Sequence, residues 1–443
     1  MTDINADRLK RFLPALSLGL LTAAFIIAKT GRDALFFQGR GLLQLPLAYI
    51  MMGAAALPLA MIFVKAMKIW GARPARIGVM LVAAGVMVFS APFLTPGDSA
   101  LLFNVFIFIP AIFAILFASL WLLATDIFEK TPKSEAARSF SKIGASSLAG
   151  GMLGGLVSKG LTPVLGAKWL ILVGGILVLG VIALVAHMHG RFPTNIAPDK
   201  QDSNAGIVST FSNKYSLSLL LISMLGALAG LLIDFQFYAA ATSAGMGSQG
   251  NANFFANFYI LLNFSSLMLQ LFAAHKIQDK IGLRGGLMIL PLALIGGATF
   301  VTAAATALSR SVLKVTEGGL RSSVHRSIWE QAFIPVDSSE RSLVKIVVDG
   351  VGARIAEGIG AAAIFFWLMN AAPGNMIAMP LNTNWMAWTT LVTVAIWLMV
   401  TQSLRVQVKK EFGETKQPAS AEIECERFPD QCPCTTELGK GVA

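Results

Sequence analysis

Three charged residues stand at the end of an otherwise apolar run near the start of the chain. The run FLPALSLGLLTAAFIIA, residues 12–28, leads directly into Lys29, Arg32 and Asp33. Spacings of three and four residues place these side chains on one face of a helix. A charge at the centre of a membrane helix costs about 2.5 to 3.5 kcal/mol on insertion scales, so charges that persist there usually face the protein interior. The pattern therefore predicts an inward-facing charged surface on the first helix.

The same pattern recurs in two later apolar segments. In SVLKVTEGGLRSSVHRSIWEQ, the residues Lys314, Glu317 and Arg321 fall at i, i+3 and i+7. In RSLVKIVVDGVGARIAEGIGAA, Lys345 and Asp349 are four residues apart. Guanidinium and ammonium groups held in a confined site of low dielectric constant suit a phosphate or a carboxylate. These helices are therefore predicted to line a site for an anion.

Isolated acids complete the candidate site, one in the fourth apolar run and one in the seventh. Unpaired carboxylates inside a membrane can also carry protons in transporters. The predicted substrate-binding residues are Lys29, Arg32, Asp33, Asp126, Asp234, Lys314, Glu317, Arg321, Lys345 and Asp349.

The same spacings allow a purely structural interpretation, which the sequence leaves open. The pairs Lys29 with Asp33, Glu317 with Arg321, and Lys345 with Asp349 would then be closed within their own helices and neutralise each other. Asp126 precedes FEKTPK, so it can equally lie at the cytoplasmic end of its helix. Arg326 and Glu330 fit a solvated helix end better than a binding site.

The composition is that of an integral membrane protein. The chain has 443 residues, of which 55% are hydrophobic and 13% are charged, whereas soluble proteins carry about 25% charged residues. The mean hydropathy is +0.68. The net charge of +11 arises in short segments between apolar runs, which indicates membrane topology and not nucleic-acid binding.

Apolar runs of about 20 residues, the length needed to cross a bilayer, predict an all-α bundle of about twelve spans in two sets of six. Lys and Arg concentrate before the first span, after the second and fourth, and in the central linker, so both termini should be cytoplasmic. The predicted units are an N-terminal bundle (1–188), a linker (189–215), a C-terminal bundle (216–406) and a disordered tail (407–443). The three cysteines lie in this tail without a histidine or a metal-ligand spacing, and are expected to be reduced.

Two six-helix bundles joined by a cytoplasmic linker are the plan of the major facilitator transporters, with a substrate site between the halves near the membrane midplane. The segment HKIQDKIGLRGG resembles the short charged loop of that fold, with a turn expected at Gly282. In GASSLAGGMLGGLVSKG, the pairs Gly150 with Gly154 and Gly151 with Gly155 predict close helix packing. Aromatic residues between Phe235 and Tyr259 fit either a belt at the membrane interface or stacking on a nucleobase.

Several motifs resemble the non-mitochondrial ATP/ADP translocase family of intracellular bacteria and plastids. The segment KTGRDALFF resembles the K-x-x-R-D-x-L segment of that family. The entry into the family's fifth helix is resembled by ARSFSKIGASSLAGGMLGGLVS. The passage into its eleventh helix is resembled by EQAFIPVDSSERSLVKIVVDGVGARIAEGIGAA. The resemblance implies exchange of ATP and ADP. It assigns substrate contacts to Lys29 and Arg32, and places Asp126 and Asp234 where the family carries Glu.

We therefore expect a carrier for an anionic, phosphorylated solute such as a nucleotide, working by exchange or with protons. A proton-coupled carrier of another organic anion, such as a carboxylate metabolite or siderophore, is the alternative, and so is a membrane receptor or assembly protein that does not transport. We expect no enzymatic activity, cofactor, metal or nucleic-acid partner. The expected setting is a bacterial inner membrane, with the protein as a monomer.

Overall fold

The computed structural model describes residues 2–38, 41–96, 99–128, 133–192, 213–242, 247–333, 335–336, 344, 346–371 and 384–414. Within these ranges the regular structure is helical. Most of the predicted linker and the end of the predicted tail, with its three cysteines, lie outside the described residues. The boundaries predicted between the units therefore remain predictions.

The described helices form twelve successive segments, as the apolar runs predict. They are α1 (Thr2–Phe36), α2 (Gly41–Trp70), α3 (Ala72–Ser90), α4 (Ala100–Phe128), α5 (Lys133–Leu165), α6 (Ala167–Arg191), α7 (Lys214–Thr242), α8 (Gly247–Met268), α9 (Ala274–Ala303), α10 (Ala307–Leu320), α11 (Ala353–Ala371) and α12 (Asn384–Glu414). A π-helical stretch, Leu269–Ala273, joins α8 to α9, and another, Ile346–Gly352, precedes α11.

In the part of the chain that the structure describes, ten of these helices contain a stretch long and apolar enough to cross a membrane. The described apolar stretch of α2 is shorter, Leu42–Ala55. The helix α10 carries the charged stripe and continues through a π-helical stretch, Arg321–His325, into a short helix, Arg326–Gln331. The charges on which the predicted site depends also distinguish α10 from an ordinary membrane span.

Two of the turns between helices contain a glycine with positive φ. A third turn, predicted from the sequence, does not occur. Gly71 between α2 and α3 has φ 84°, and Gly166 between α5 and α6 has φ 83°, a region that side chains with a Cβ seldom adopt. The turn expected at Gly282 is wrong, because residues 279–284 belong to the helix α9. A sequence of charges around a glycine does not by itself exclude helix.

Helix α1 fixes the directions of its neighbours in the N-terminal half. Arg32, near its end, stacks on Phe106 near the start of α4, whereas Lys10, near its beginning, lies over Phe128 at the end of α4. The two helices are therefore antiparallel. We call the two ends of the bundle the Phe36 end and the Lys10 end, after residues of α1.

Helix α5 packs tightly against both halves through its two glycine pairs. A Cβ added to Gly150 would lie 2.0 Å from the carbonyl oxygen of Gly19 in α1, and one added to Gly154 would lie 2.7 Å from that of Ala23. The other pair faces α8. A Cβ on Gly151 would lie 2.3 Å from the Asn263 side chain. The prediction of close helix packing is confirmed.

Replacement of Gly150 by alanine should lower the thermal stability of the purified protein in detergent. The added methyl group forces α1 and α5 apart, and overpacking of this kind costs about 1–3 kcal/mol. Gly160 on the same helix is the matched control, because a Cβ there meets nothing within 4 Å. Equal melting temperatures for Gly150→Ala and Gly160→Ala would contradict the close contact.

Candidate functional site

A buried carboxylate, Asp33, ties the two halves of the protein together. Arg32 donates to its Oδ1 from Nε (2.8 Å) and from Nη2 (2.5 Å). Two hydroxyls of the C-terminal half donate to its Oδ2, from Tyr259 at 2.7 Å and Tyr238 at 3.2 Å. The Asp33 side chain is 0% exposed. We call these four residues the Asp33 cluster, and it links α1 to α7 and α8 near the Phe36 end.

Arg32 is held by groups of its own half as well. Its guanidinium lies 4.2 Å from the Phe106 ring, and Nη1 donates to the Phe106 carbonyl at 3.1 Å. A buried ion pair is tolerated when hydrogen bonds satisfy its remaining polar atoms, as they do here. The positive charge of Arg32 is therefore already used within the protein.

Lys29 differs from the charges around it, because it forms no ion pair with a carboxylate in the part of the chain that the structure describes. Its Nζ lies 4.7 Å from the centre of the Tyr259 ring, a cation–π contact. The closed pair considered for Lys29 and Asp33 is wrong, because Asp33 pairs with its neighbour Arg32 instead. Among the described residues, the amino group of Lys29 therefore has an aromatic ring and not a carboxylate as its partner.

A second group of charges, the Lys314 cluster, comprises Asp234, Lys314, Glu317 and Arg321. The Nζ of Lys314 lies 2.5 Å from Asp234 Oδ1 and 2.7 Å from Glu317 Oε2. Arg321 pairs through Nε with the other oxygen of Glu317. The pair predicted within α10 between Glu317 and Arg321 is thus confirmed, and it forms one part of a larger network.

Helix α7 lies directly against this network. Arg321 Nη2 donates to the carbonyl of Gly226 at 2.8 Å. A Cβ on Gly230 would lie at van der Waals distance from the pair, 3.4 Å from Arg321 Nη2 and 3.6 Å from Glu317 Oε1. The hydrogen bond to Gly226 therefore helps to set the position of Arg321.

The Lys314 cluster reaches the N-terminal half through a tyrosine. Tyr49 of α2 donates to Asp234 Oδ2 at 2.8 Å. Lys29 is close enough to Asp234 and Lys314 to interact electrostatically with both. We call Lys29, Tyr49 and the Lys314 cluster together the central site. The central site is partly accessible, since the Asp234 and Arg321 side chains are 23% and 37% exposed.

The other predicted site residues lie elsewhere or outside the described residues. Asp126 pairs with the fully buried Arg76 at 2.9 Å, near the Lys10 end. Asp349 accepts a hydrogen bond of 2.8 Å from Trp329 Nε1. Lys345 is not among the described residues. The structure thus brings together seven of the ten predicted residues, in the Asp33 cluster and the central site.

Most of the aromatic residues between Phe235 and Tyr259 are buried inside the protein. Phe235, Phe237 and Phe255 are each 1% exposed, so the interpretation as a belt at the membrane interface is wrong for them. Tyr238 and Tyr259 belong to the Asp33 cluster, which leaves their hydroxyls engaged.

Tyr49 was missed by the sequence reasoning, although a compositional signal was present. The chain contains 29 phenylalanines and only four tyrosines. Three of these four, Tyr49, Tyr238 and Tyr259, donate to Asp33 or Asp234. In a chain that otherwise uses phenylalanine, the rare hydroxyl marks positions where an acid needs a donor.

Replacement of Tyr259 by phenylalanine should destabilise the protein more than the same change at Tyr215. Tyr259 donates to a charged carboxylate, where a hydrogen bond contributes about 1.5–3 kcal/mol, whereas the bond of Tyr215 to the Ala332 carbonyl belongs to the neutral class at about 0.5–1.5 kcal/mol. Thermal unfolding in detergent measures both. A smaller effect at Tyr259 would show that the Asp33 cluster contributes little to stability.

Comparison with known proteins gives the fold. No protein-family model matches the chain, and no curated protein matches it in sequence. The solved structure of the POT family transporter PepTSo is similar with a TM-score of 0.63 and 11% identity, covering 89% of this chain and 98% of that one. The nucleoside transporter NupG is similar with a TM-score of 0.60 and 12% identity, covering 89% and 99%.

These likenesses confirm the predicted fold class, an all-α membrane protein of the major facilitator type. An auto-inhibited POT family peptide transporter shows the same similarity, with a TM-score of 0.60, 12% identity, and coverage of 91% of this chain and 98% of that one. The resemblance to the ATP/ADP translocase family is not confirmed by any of them.

Proposed function

We propose that the protein is a membrane transporter that binds an anionic organic solute at the central site and moves it by alternating access. The major facilitator fold supports transport, since its two halves enclose a site near the midplane. Residues of both halves form the central site here, with Lys29 and Tyr49 from the N-terminal half and the Lys314 cluster from the C-terminal half.

The observation that carries this proposal is Lys29, which forms no ion pair with any carboxylate that the structure describes. The central site holds three cations, Lys29, Lys314 and Arg321, against two acids, Asp234 and Glu317. Removing an ammonium group from water without a partner is costly, so an unpaired lysine between the halves favours a bound anion. Lys29 supplies the first contact for that anion.

The charge surplus also bears on which anion the site holds. A nucleoside triphosphate carries several negative charges, more than Lys29 alone can neutralise. Such a substrate would have to draw both Lys314 and Arg321 away from Glu317 and Asp234, whereas a solute with one anionic group could be held by Lys29 and Lys314 alone. A test of the site should therefore include ATP and ADP, which the resemblance implies, together with AMP and the carboxylate citrate.

We also propose that the Lys10 end faces the cytoplasm of a bacterial cell and that both termini lie there. The basic residues Lys10, Arg11 and Arg76 lie toward this end, in agreement with the enrichment of Lys and Arg in cytoplasmic segments. The Asp33 cluster then joins the halves on the outer side.

Replacement of Lys29 by methionine should abolish stabilisation by the anion without unfolding the protein. A ligand at 100 times its Kd raises the free energy of unfolding by about 2.7 kcal/mol, which thermal unfolding in detergent detects. The panel consists of ATP, ADP, AMP, inorganic phosphate and citrate. Because Lys29 has no described ion-pair partner, its removal leaves no acid unpaired, and the unliganded melting temperature should be retained.

Lys159→Met is the matched control, since Lys159 is an exposed lysine of α5 whose loss removes the same charge. It should respond to the anion as the wild-type protein does. A lower unliganded melting temperature in Lys29→Met alone would make Lys29 a structural residue. If no member of the panel raises the melting temperature of the wild-type protein, the anion site is contradicted.

A further inference from the structure

Asp234 is the carboxylate of the central site on which both halves converge. Tyr49 of α2 donates to its Oδ2, and Lys314 of α10 pairs with its Oδ1. Its side chain is 23% exposed, compared with 4% for Glu317. Of the two acids in the Lys314 cluster, Asp234 is therefore the one that water and its protons reach.

The two acids depend on Lys314 to different degrees. Glu317 pairs with both Lys314 and Arg321, so it keeps a cation if Lys314 moves. Asp234 pairs with Lys314 alone among the described ion pairs, and would keep only the neutral hydroxyl of Tyr49. An anion that attracts Lys314 thus deprives Asp234 of its counter-ion and leaves Glu317 neutralised.

The remaining groups around Asp234 do not replace this cation. Lys29 on α1 is the first contact proposed for the anion, so its charge is shared with the solute. Glu357 on α11 and Glu317 on α10 are acids, and Tyr238 on α7 is neutral and bonded to Asp33. A carboxylate that loses its counter-ion beside a newly bound anion favours its neutral form.

We propose that anion binding at Lys29 and Lys314 is coupled to the uptake of one proton by Asp234, so that the carrier is a proton–anion symporter. The inference rests on the proposed function. A proton from water adds to Asp234 as Lys314 turns to the anion, and the new O–H can donate to the solute. Because such coupling is reciprocal, protonation of Asp234 in turn strengthens anion binding.

The test measures the Kd of ATP, AMP and citrate for the purified full-length protein by calorimetry, across neutral pH, in the wild-type protein and in Asp234→Asn. The amide has the shape of the neutral acid and cannot take up a proton. Uptake of one proton makes the wild-type affinity fall about tenfold for each unit of rising pH, in addition to the solute's own titration. In Asp234→Asn only the solute's titration should remain.

Three further variants make the assignment specific. Asp234→Glu restores a titratable group and should restore the wild-type dependence on pH, which an effect of misfolding would not. Glu330→Gln, in an exposed pair with Arg326, should retain it. If Glu357→Gln removes the dependence and Asp234→Asn does not, the assignment to Asp234 is overturned.

The remaining outcomes separate the inference from the function on which it rests. Anion binding with the same pH dependence in the wild-type protein and Asp234→Asn would overturn proton coupling at Asp234 and leave an anion carrier. Binding of none of the three solutes by the wild-type protein would overturn the anion site, and the proton coupling with it.

Discussion

The shortage of water inside the bundle governs the placement of its charged groups. In a medium of low dielectric constant, a charge without a partner is costly, and a paired charge is held firmly. Asp33 meets this constraint by taking donors from both halves, namely Arg32 on one side and the hydroxyls of Tyr238 and Tyr259 on the other. The same requirement that lets an acid remain in the membrane also helps to join the two bundles.

The two clusters answer the constraint differently. The Asp33 cluster is buried and its donors are matched to its acceptors, which suits a contact that holds a conformation closed. The Lys314 cluster is partly exposed and interacts electrostatically with Lys29, which has no carboxylate partner among the described residues. In the proposed function, the Asp33 cluster holds the halves together and the more accessible Lys314 cluster exchanges its internal partners for a solute. Both clusters lie between the halves, so the proposed binding and closure would act on the same surfaces.

The sequence predicted the fold well because its strongest signals are one-dimensional. Apolar runs predict the helices, and glycines spaced by four residues predict the packing of α5. Helical spacing correctly placed Glu317 with Arg321, since both partners lie on one helix. It failed for Lys29 and Asp33, because spacing identifies a shared face and cannot show that the adjacent Arg32 turns back onto Asp33. Contacts between distant segments, such as that of Tyr49 with Asp234, have no local signal.

The glycine pairs of α5 also have a mechanical consequence. Gly150 and Gly154 contact the backbone of α1, whereas Gly151 and Gly155 come closest to the side chains of Asn263 and Ile260 on α8. Side chains can change rotamer when one helix moves against another, but two backbones in direct contact cannot. A displacement of α5 relative to α8 can therefore be accommodated by side chains, whereas α1 has to move together with α5.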